Sequence, residues 1–375
     1  MPDRHLNIVS FTIPYPANYG GVIDVFYKLV ALKAQGIKIH LHCFRYDRQP
    51  APELDPYCES IHYYRRKTGL REQLSLKPYI VKGRRSDELL KNLLSNDYPI
   101  LFEGLHSCFY IDHPSLQGRE LIYRESNIEH LYYFHLFRSE RKPGRKLFFL
   151  LESMKLRLFQ HTLKYASQML VVSEKDTEYL KNKFPGKKIS CLPSFHGNSL
   201  CRSLPGKGMY AFYHGNLSVA ENAEAAGFLI KEVFEGMDYP LIIAGLNPPD
   251  RLKRIASESG ARLIENPSDE EMEKLIREAH LNILVTFQAT GLKLKLLNAL
   301  FNGRFLLVNH AMISGTGLDS LCFIADNPTE IKKQVRSIFE KEFDTATIAT
   351  REKILQTRYS DEINALKLID LILPA

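Results

Sequence analysis

Short apolar runs alternate with amphipathic stretches along nearly the whole chain. The runs predict buried strands of parallel sheets, and apolar residues at helical spacing between them predict the crossover helices. In the first half we expect strands at 6–11, 37–44, 100–102, 120–123, 169–172 and 189–192. In the second half we expect them at 210–213, 241–244, 261–264, 281–285 and 305–308. The clearest helices are expected at 22–34, 219–235, 250–257, 328–343 and 360–373.

This strand–helix alternation is interrupted at 193–208, a segment rich in Pro, Gly and Ser that we interpret as a domain linker. The fold class predicted is therefore α/β, with two Rossmann-like doubly wound domains facing one another across a cleft. We place the first domain at 1–200 and the second at 201–358. The C-terminal helix, 359–375, has a wide apolar face that suits it to cross back onto the first domain. Such a cleft is the default ligand site.

The loop and helix between the last two predicted strands carry the clearest candidate chemistry. Thr290 is the expected N-cap, the helix opens near Gly291, and Gly303 ends it. Lys293 and Lys295 then lie in the first turn, where each cation opposes the helix dipole by about 0.3–1 kcal/mol. A bound anion would stabilise them, because helix N-termini bind phosphate. The alternative is two solvated surface lysines.

Two further candidate groups lie near predicted strand ends in the first half. The pair Gly20–Gly21 opens the first helix, where glycines let the backbone approach a ligand closely, although such a pair also fits a simple turn. Glu103 and His106 directly follow the strand 100–102. A Glu and a His at this edge of a sheet can act as acid–base or ligand-binding groups, and the alternative is hydrogen bonding within the loop.

Composition places the chain among globular proteins. It has 375 residues, 45% of them apolar and 25% charged. No apolar run reaches the roughly 20 residues that span a bilayer, and the first residues do not resemble a signal peptide. The six cysteines lack the spacing of zinc ligands, so we expect reduced cytosolic thiols and no metal site.

Charge is distributed unevenly between the two halves. Residues 1–195 carry 30 Lys and Arg against 20 Asp and Glu, a net charge of +10, and the remainder carries 20 against 23, a net charge of −3. The basic half predicts an anionic partner. Segments 65–85 and 138–157 mix basic with apolar residues and are candidates for contact with an anionic membrane surface. The alternatives are a solvated connection and core packing. No recognition motif supports nucleic acid as a partner.

Four segments form a pattern that is similar to a known family. They are 14–21, with its closing glycine pair; 124–133, beginning Arg-Glu-Ser-Asn-Ile-Glu-His; 214–222, beginning His-Gly-Asn-Leu-Ser; and 291–303, Gly-x-Lys-x-Lys-x-x-Asn-Ala…Gly. Together they resemble the GT-B glycosyltransferases, specifically the family-4-like or group 1 branch, over nearly the whole chain. The last segment resembles the signature Gly-x-x-x-Lys-x-x-Glu-Ala-x-x-x-Gly.

The resemblance implies transfer of a sugar from a nucleotide-sugar, a substrate rather than a cofactor, to an acceptor hydroxyl. The nucleotide would lie on the second domain and the acceptor on the first. Helix N-termini and cations, rather than a metal, would stabilise the leaving diphosphate, and no Asp-x-Asp occurs. The donor-binding residues expected are Gly20, Gly21, Gly215, Asn216, Gly245, Thr290, Gly291, Lys293, Lys295 and Asn298.

The chain departs from the family pattern at several of these positions. The acidic pair of the family falls on Thr290 and Asn298, and the Arg and Lys of its glycine loop fall on Asn216 and Glu221. Segment 124–133 resembles the sequence Arg-x-His-Asn-Ile-Glu-x-x-Tyr-Tyr of a bacterial subgroup of the family, and the histidine of that sequence falls on Ser126 here. The candidate catalytic residues are accordingly His106, Glu103, Ser126 and Glu129.

The first functional hypothesis is a cytoplasmic glycosyltransferase, retaining and metal-independent, that is peripheral on the inner face of the membrane. It would build cell-surface polysaccharide or glycolipid on a glycan or lipid-linked acceptor. One alternative, favoured by the missing carboxylates, is a catalytically silent GT-B scaffold that binds a nucleotide-sugar or glycan. Another is a sugar-nucleotide epimerase on the same fold.

Overall fold

A computed structural model describes residues 4–140, 142–287 and 294–372. The chain divides into two compact units. The first contains the described residues up to Gly197 together with those from Asp361 onward, and the second contains those from Asn198 to Ser360. The boundaries lie close to the positions 200 and 358 expected from the sequence.

The first unit is built on a sheet that has seven strands among the described residues, in the order β3-β2-β1-β4-β5-β6-β7. Every neighbouring pair is parallel. This order, with β1 near the centre, is that of a Rossmann-like sheet. The strands are β1 His5–Ser10, β2 Lys38–Arg45, β3 Ser60–Arg65, β4 Ile100–Glu103, β5 Leu121–Glu125, β6 Gln168–Val171 and β7 Lys188–Cys191.

Helices connect these strands on both faces of the sheet. Most are amphipathic, as the apolar spacing predicted, and α4 and α7 begin at serine N-caps whose side chains accept a backbone N–H. The helices are α1 Gly20–Ala34, α2 Leu70–Gln73, α3 Tyr79–Lys82, α4 Asp87–Leu93, α5 Glu129–Ser139, α6 Pro143–Phe159 and α7 Glu174–Lys183.

The second unit repeats the plan with a smaller parallel sheet. Within the described residues it has six strands, ordered β10-β9-β8-β11-β12-β13. They are β8 Ala211–His214, β9 Leu241–Gly245, β10 Arg262–Glu265, β11 Leu281–Leu284, β12 Phe305–Val308 and β13 Phe323–Ile324. Its helices are α8 Ala220–Phe228, continued by a π turn over Leu229–Phe234, then α9 Asp250–Ser259, α10 Asp269–Glu278, α11 Leu294–Asn302, α12 His310–Ile313, α13 Pro328–Phe339 and α14 Thr345–Tyr359.

The last helix, α15 Asp361–Ile372, belongs to the first unit. Its residues Ala365, Leu368 and Ile369 are buried in the same apolar cluster as Leu29 and Leu32 of α1. The backbone carbonyl of Leu371 also accepts a hydrogen bond from the Gln168 side chain of β6 at 2.8 Å. Burial of this apolar face therefore returns the C-terminal chain to the first sheet.

The predicted fold class is confirmed, and two strands were missed. The missed β3 is an edge strand of mostly half-buried residues, so it lacks the continuous apolar run of a central strand. The missed β13 has only two residues. In neither case does the apolar pattern separate the strand from a loop.

Candidate functional site

Three neighbouring strands of the first unit, β1, β4 and β5, deliver the predicted catalytic residues and the predicted donor-binding glycine pair to one edge of the sheet. Gly20 and Gly21 begin α1 beyond β1, His106 follows β4, and Ser126 and Glu129 follow β5. Because parallel strands end at the same edge, these loops lie together. The group formed by Phe11, Gly21, Arg84, His106 and Glu129 is called the first-unit cluster below.

His106 and Glu129 face one another in this cluster. The Nδ1 atom of His106 lies 3.8 Å from Oε1 of Glu129, and the two side chains are 21% and 5% exposed. Burial raises the pKa of Glu129 to about 8, although Arg84 acts in the opposite direction. Burial, reinforced by Arg84 and Arg66, lowers the pKa of His106 well below its ordinary value. At neutral pH the pair is therefore an uncharged imidazole beside a largely protonated carboxyl group.

Arg84 supplies the cation of the first-unit cluster. Its Nε donates to the Phe11 carbonyl oxygen at 2.7 Å, and its Nη1 donates to the carbonyl of Ile80. The side chain is buried, which lowers its pKa. The sequence had placed this arginine in the basic segment 65–85 proposed to contact a membrane. For Arg84 that interpretation is wrong, since a buried guanidinium cannot reach a lipid surface.

Gly21 is required by a close approach. A Cβ atom at this position would lie 2.8 Å from Cζ of Phe11. The Phe11 ring in turn packs against the His106 ring, with centroids 5.4 Å apart. A larger residue at 21 would therefore require the Phe11 ring to shift, and with it the contact of that ring with His106.

Glu103, a predicted catalytic residue, lies in a buried ion pair. Its Oε1 accepts a hydrogen bond from Lys28 Nζ at 2.6 Å, and both side chains are buried. The same Lys28 Nζ lies 3.1 Å from Asp24, which also contacts Arg124 at 3.4 Å. Glu103 is thus one member of a buried network of two carboxylates and two cations. This pairing gives Glu103 a structural role, because removing one partner of a buried ion pair strongly destabilises a protein. Its catalytic role stays a prediction.

Beside the candidate Ser126, the structure reveals a buried carboxyl group that sequence reasoning missed. Ser126 itself is half-buried. Its neighbour Glu125 accepts a hydrogen bond from the Tyr123 hydroxyl at 2.6 Å and another from the Asn127 amide at 3.1 Å. Burial raises the pKa of Glu125 well above its ordinary value. The position of Glu125 at the end of β5 is the sequence feature that could have identified it as a candidate.

In the second unit, two of the predicted donor-binding glycines are in backbone contact. Gly215 follows β8, and Gly245 ends the neighbouring β9. A Cβ atom on Gly245 would lie 1.9 Å from the carbonyl oxygen of Gly215 and 2.8 Å from Cγ of Leu217. Only glycine fits at 245 without displacing the loop that follows β8.

Lys295 is held against this loop. Its Nζ donates to Asn222 Oδ1 at 3.1 Å and lies 5.2 Å from the centre of the Tyr213 ring. Asn222 in turn donates to the carbonyl oxygen of Asn216 at 2.9 Å. We call Gly215, Asn216, Gly245 and Lys295, with their bridging Asn222, the second-unit cluster. The sequence analysis did not identify Asn222 as the residue that connects this cluster.

The cluster combines one cation with closely packed backbone. Burial, with a contribution from Lys295, lowers the pKa of the adjacent His214 to about 3, so this imidazole is neutral. The hydroxyl of Thr286 donates to Glu221 Oε1, which places a carboxylate near the same edge. Asn298, one turn beyond Lys295 on α11, accepts a hydrogen bond from Asn302 at 2.7 Å.

Three predicted donor-binding residues, Thr290, Gly291 and Lys293, lie outside the described residues. Among the residues that the structure describes, no group of three or more His, Cys, Asp or Glu side chains is placed to hold a metal ion. In that same part of the chain, no helix is long and apolar enough to cross a membrane.

Similarity to known proteins extends over nearly the whole chain. The chain is 24% identical to an uncharacterized 44.6 kDa protein in the cps region of Klebsiella pneumoniae. The match extends over 334 residues, which cover 83% of this chain and 84% of that protein. Sucrose-phosphate synthase from Thermosynechococcus elongatus superposes with a TM-score of 0.72 at 13% identity, covering 98% of both chains. HepE of Anabaena, in complex with UDP and glucose, superposes with a TM-score of 0.66 at 12% identity and covers 99% of this chain and 99% of its own.

No protein-family model matches the chain. The structural similarities nevertheless establish its fold as GT-B, with two Rossmann-like domains. The fold implied by the four sequence segments is thereby confirmed.

Proposed function

We propose that this protein is a glycosyltransferase that moves a sugar from a nucleoside diphosphate sugar to a hydroxyl group of a cell-surface glycan. The observation that carries the proposal is the second-unit cluster, in which Lys295 is held beside the tightly packed Gly215 and Gly245. The GT-B fold, found in HepE with UDP and glucose, supports it. The relative from a cps region supports the polysaccharide context.

The second-unit cluster binds the diphosphate of the donor. Glycine backbone at 215 and 245 presents no side chain, so a phosphate group can approach the main chain closely. Lys295 supplies positive charge to the leaving diphosphate as the glycosidic bond to it breaks. In this proposal Lys295 and backbone N–H groups, rather than a metal ion, stabilise the leaving group. Thr290, Gly291 and Lys293 complete the binding segment.

The first-unit cluster binds the sugar and the acceptor. The neutral imidazole of His106 accepts a hydrogen bond from a substrate hydroxyl, which a protonated imidazole could not do. Glu129 faces that imidazole, with its Oε1 3.8 Å from Nδ1. Gly20 and Gly21 are expected to contact the donor, as the family resemblance implies. Transfer with retention of the anomeric configuration is part of the same proposal and rests on the family resemblance.

Donor binding is tested by thermal unfolding with nucleoside diphosphates and their sugars, beginning with UDP and UDP-glucose. A ligand at 100 times its dissociation constant stabilises the folded protein by about 2.7 kcal/mol. We expect stabilisation of the wild type and its loss in Lys295→Ala. Lys333→Ala is the matched control, because Lys333 is an exposed lysine on α13 of the same unit.

Catalysis is tested separately by acceptor-dependent release of the nucleoside diphosphate. We expect His106→Ala to abolish release while the thermal shift by the donor remains. If no nucleotide or nucleotide-sugar stabilises the wild type, the proposed function is wrong.

A nucleotide-sugar-binding scaffold without turnover is the second candidate. It is favoured by Asn298, an amide where the resembled signature has a carboxylate, and by Glu221, a carboxylate where the resembled loop has a cation. Donor stabilisation without release of nucleoside diphosphate, for any acceptor glycan supplied, would support the scaffold over the transferase.

A further inference from the structure

Helix α6 exposes an apolar stripe to solvent. Leu147, Leu151, Met154 and Leu158 recur at helical spacing on one face of the helix, and they are between 48% and 72% exposed. The opposite face, including Leu156 and Phe159, is buried in the core of the first unit. The stripe is therefore not needed for folding of this unit, and contiguous exposed apolar surface of this kind marks an interaction site.

A second exposed apolar segment lies against the same helix. Leu70, Leu74 and Leu76 are between 73% and 95% exposed. The segment is fixed to α6 by Lys155, whose Nζ donates to the carbonyl oxygen of Gln73 at 3.1 Å. The exposed apolar residues of the stripe and of this segment are together called the apolar patch below.

The charges around the apolar patch are predominantly positive. The only acidic residue within α6 is Glu152, and it is buried, accepting hydrogen bonds from the Tyr79 amide at 2.7 Å and from Lys155 at 2.9 Å. Glu140 contacts Arg145 at 3.2 Å, and Glu72 is half-buried. Exposed cations within or beside the helix include Lys142, Arg145, Arg157 and Lys164.

We propose that the apolar patch and its flanking cations dock this protein on an anionic lipid surface. Exposed leucines insert among the acyl chains near the headgroups, and the cations pair with anionic headgroups, as in an interfacial amphipathic helix. The patch thus draws on both segments that the sequence suggested, 138–157 through α6 and 65–85 through its exposed leucines. Segment 65–85 takes part only partly, because it is divided between two short helices and buries Arg84.

A second copy of this chain is the competing occupant, because spacing of this kind also occurs in helix pairs. A two-fold interface brings the same patch of both subunits together. In such a dimer the cations of one subunit would lie opposite the cations of the other, and α6 would provide no exposed carboxylate to pair with them. Charge complementarity therefore favours anionic lipid.

The test is co-sedimentation of the full chain with vesicles, with no nucleotide or sugar present. Its outcome is thus independent of the proposed transfer. We expect binding to vesicles of phosphatidylglycerol mixed with phosphatidylcholine, weaker binding as salt rises, and no binding to phosphatidylcholine alone. The double variant Leu151→Glu/Leu158→Glu should bind at least about tenfold more weakly. Arg157→Gln and Lys164→Gln should each weaken binding about fivefold.

The matched control is Leu366→Glu, the same change at an exposed leucine on another helix of the same unit, α15. It should bind vesicles like the wild type. Equal vesicle binding by wild type and the Leu151→Glu/Leu158→Glu variant would overturn the proposal. So would a lipid-free dimer in analytical ultracentrifugation that the double variant abolishes, because the patch would then serve a second copy of the chain.

Discussion

Replacement of Lys28 by methionine tests whether the buried charge network supports the fold. Lys28 is completely buried, and its Nζ lies 2.6 Å from Glu103 and 3.1 Å from Asp24. At an effective dielectric constant of about 20, each contact represents a gross attraction of about 5–6 kcal/mol, much of which is offset by desolvation. Methionine keeps the length and apolar volume of the side chain but removes the cation.

The variant leaves Glu103 buried without the cation that compensates it, while Asp24 keeps Arg124. Removing one partner of a buried ion pair costs about 3–5 kcal/mol. For a unit of this size we expect the Tm to fall by roughly 6–20 °C. Lys33→Met, at an exposed lysine of the same helix, should leave the Tm nearly unchanged.

Thermal unfolding of the double variant Lys28→Met/Glu103→Gln separates this explanation from simple loss of packing. Because the amide introduced at position 103 carries no charge, the double variant should be more stable than Lys28→Met alone. Additive losses from the two changes, or an unchanged Tm in Lys28→Met, would refute the reasoning. Glu103→Gln alone should also retain the proposed glycosyl transfer, in contrast to its sequence-based assignment as a catalytic residue.

Three further predictions concern close packing and pH. Burial lowers the pKa of His42 to about 3, so below neutral pH the unfolded chain binds a proton that the folded chain does not. We therefore expect this group to make the protein about 2 kcal/mol less stable at pH 5 than at pH 7. In denaturant titrations, His42→Gln should reduce this dependence of the unfolding free energy on pH. Burial raises the pKa of Glu129 to about 8, so stability should fall as pH rises from about 4.5 towards 8, and Glu129→Gln should remove this loss. Gly245→Ala should displace the loop after β8 and abolish donor stabilisation, whereas Gly227→Ala, with open space around its Cβ position, should not.

Strand ends located part of the candidate site in the sequence, and the structure brings those residues together. His106 and Glu129 were identified because each follows a buried strand, and the structure brings them within 3.8 Å. Gly215 and Lys295 were expected from two motif segments, and Gly245 from its place after a predicted strand. The structure links the three through packing and Asn222. In both clusters the topology of a parallel sheet converts positions distant in sequence into neighbours.

Burial set the surroundings of two charged residues in a way that the sequence did not indicate. Glu103 was expected to face a ligand, and Arg84 was placed among surface cations. Asp24 and Lys28 lie on the buried side of α1. Their charges within an apolar helix face could have indicated that a charged residue such as Glu103 would pair with them inside the protein. A charged group on a buried helix face needs an opposite charge from another element, and that element is identified only when the chain is folded.

The sequence alone was sufficient to determine the two α/β sheets, most strand positions and the helices between them, because hydrophobic periodicity acts locally and repeats regularly. Only the tertiary structure decided which polar residues became core and which became candidate site. It also showed that α6 leaves an apolar stripe uncovered. These outcomes depend on which distant residues share one buried volume, since desolvation and pairing energies are set by three-dimensional neighbours and not by position along the chain.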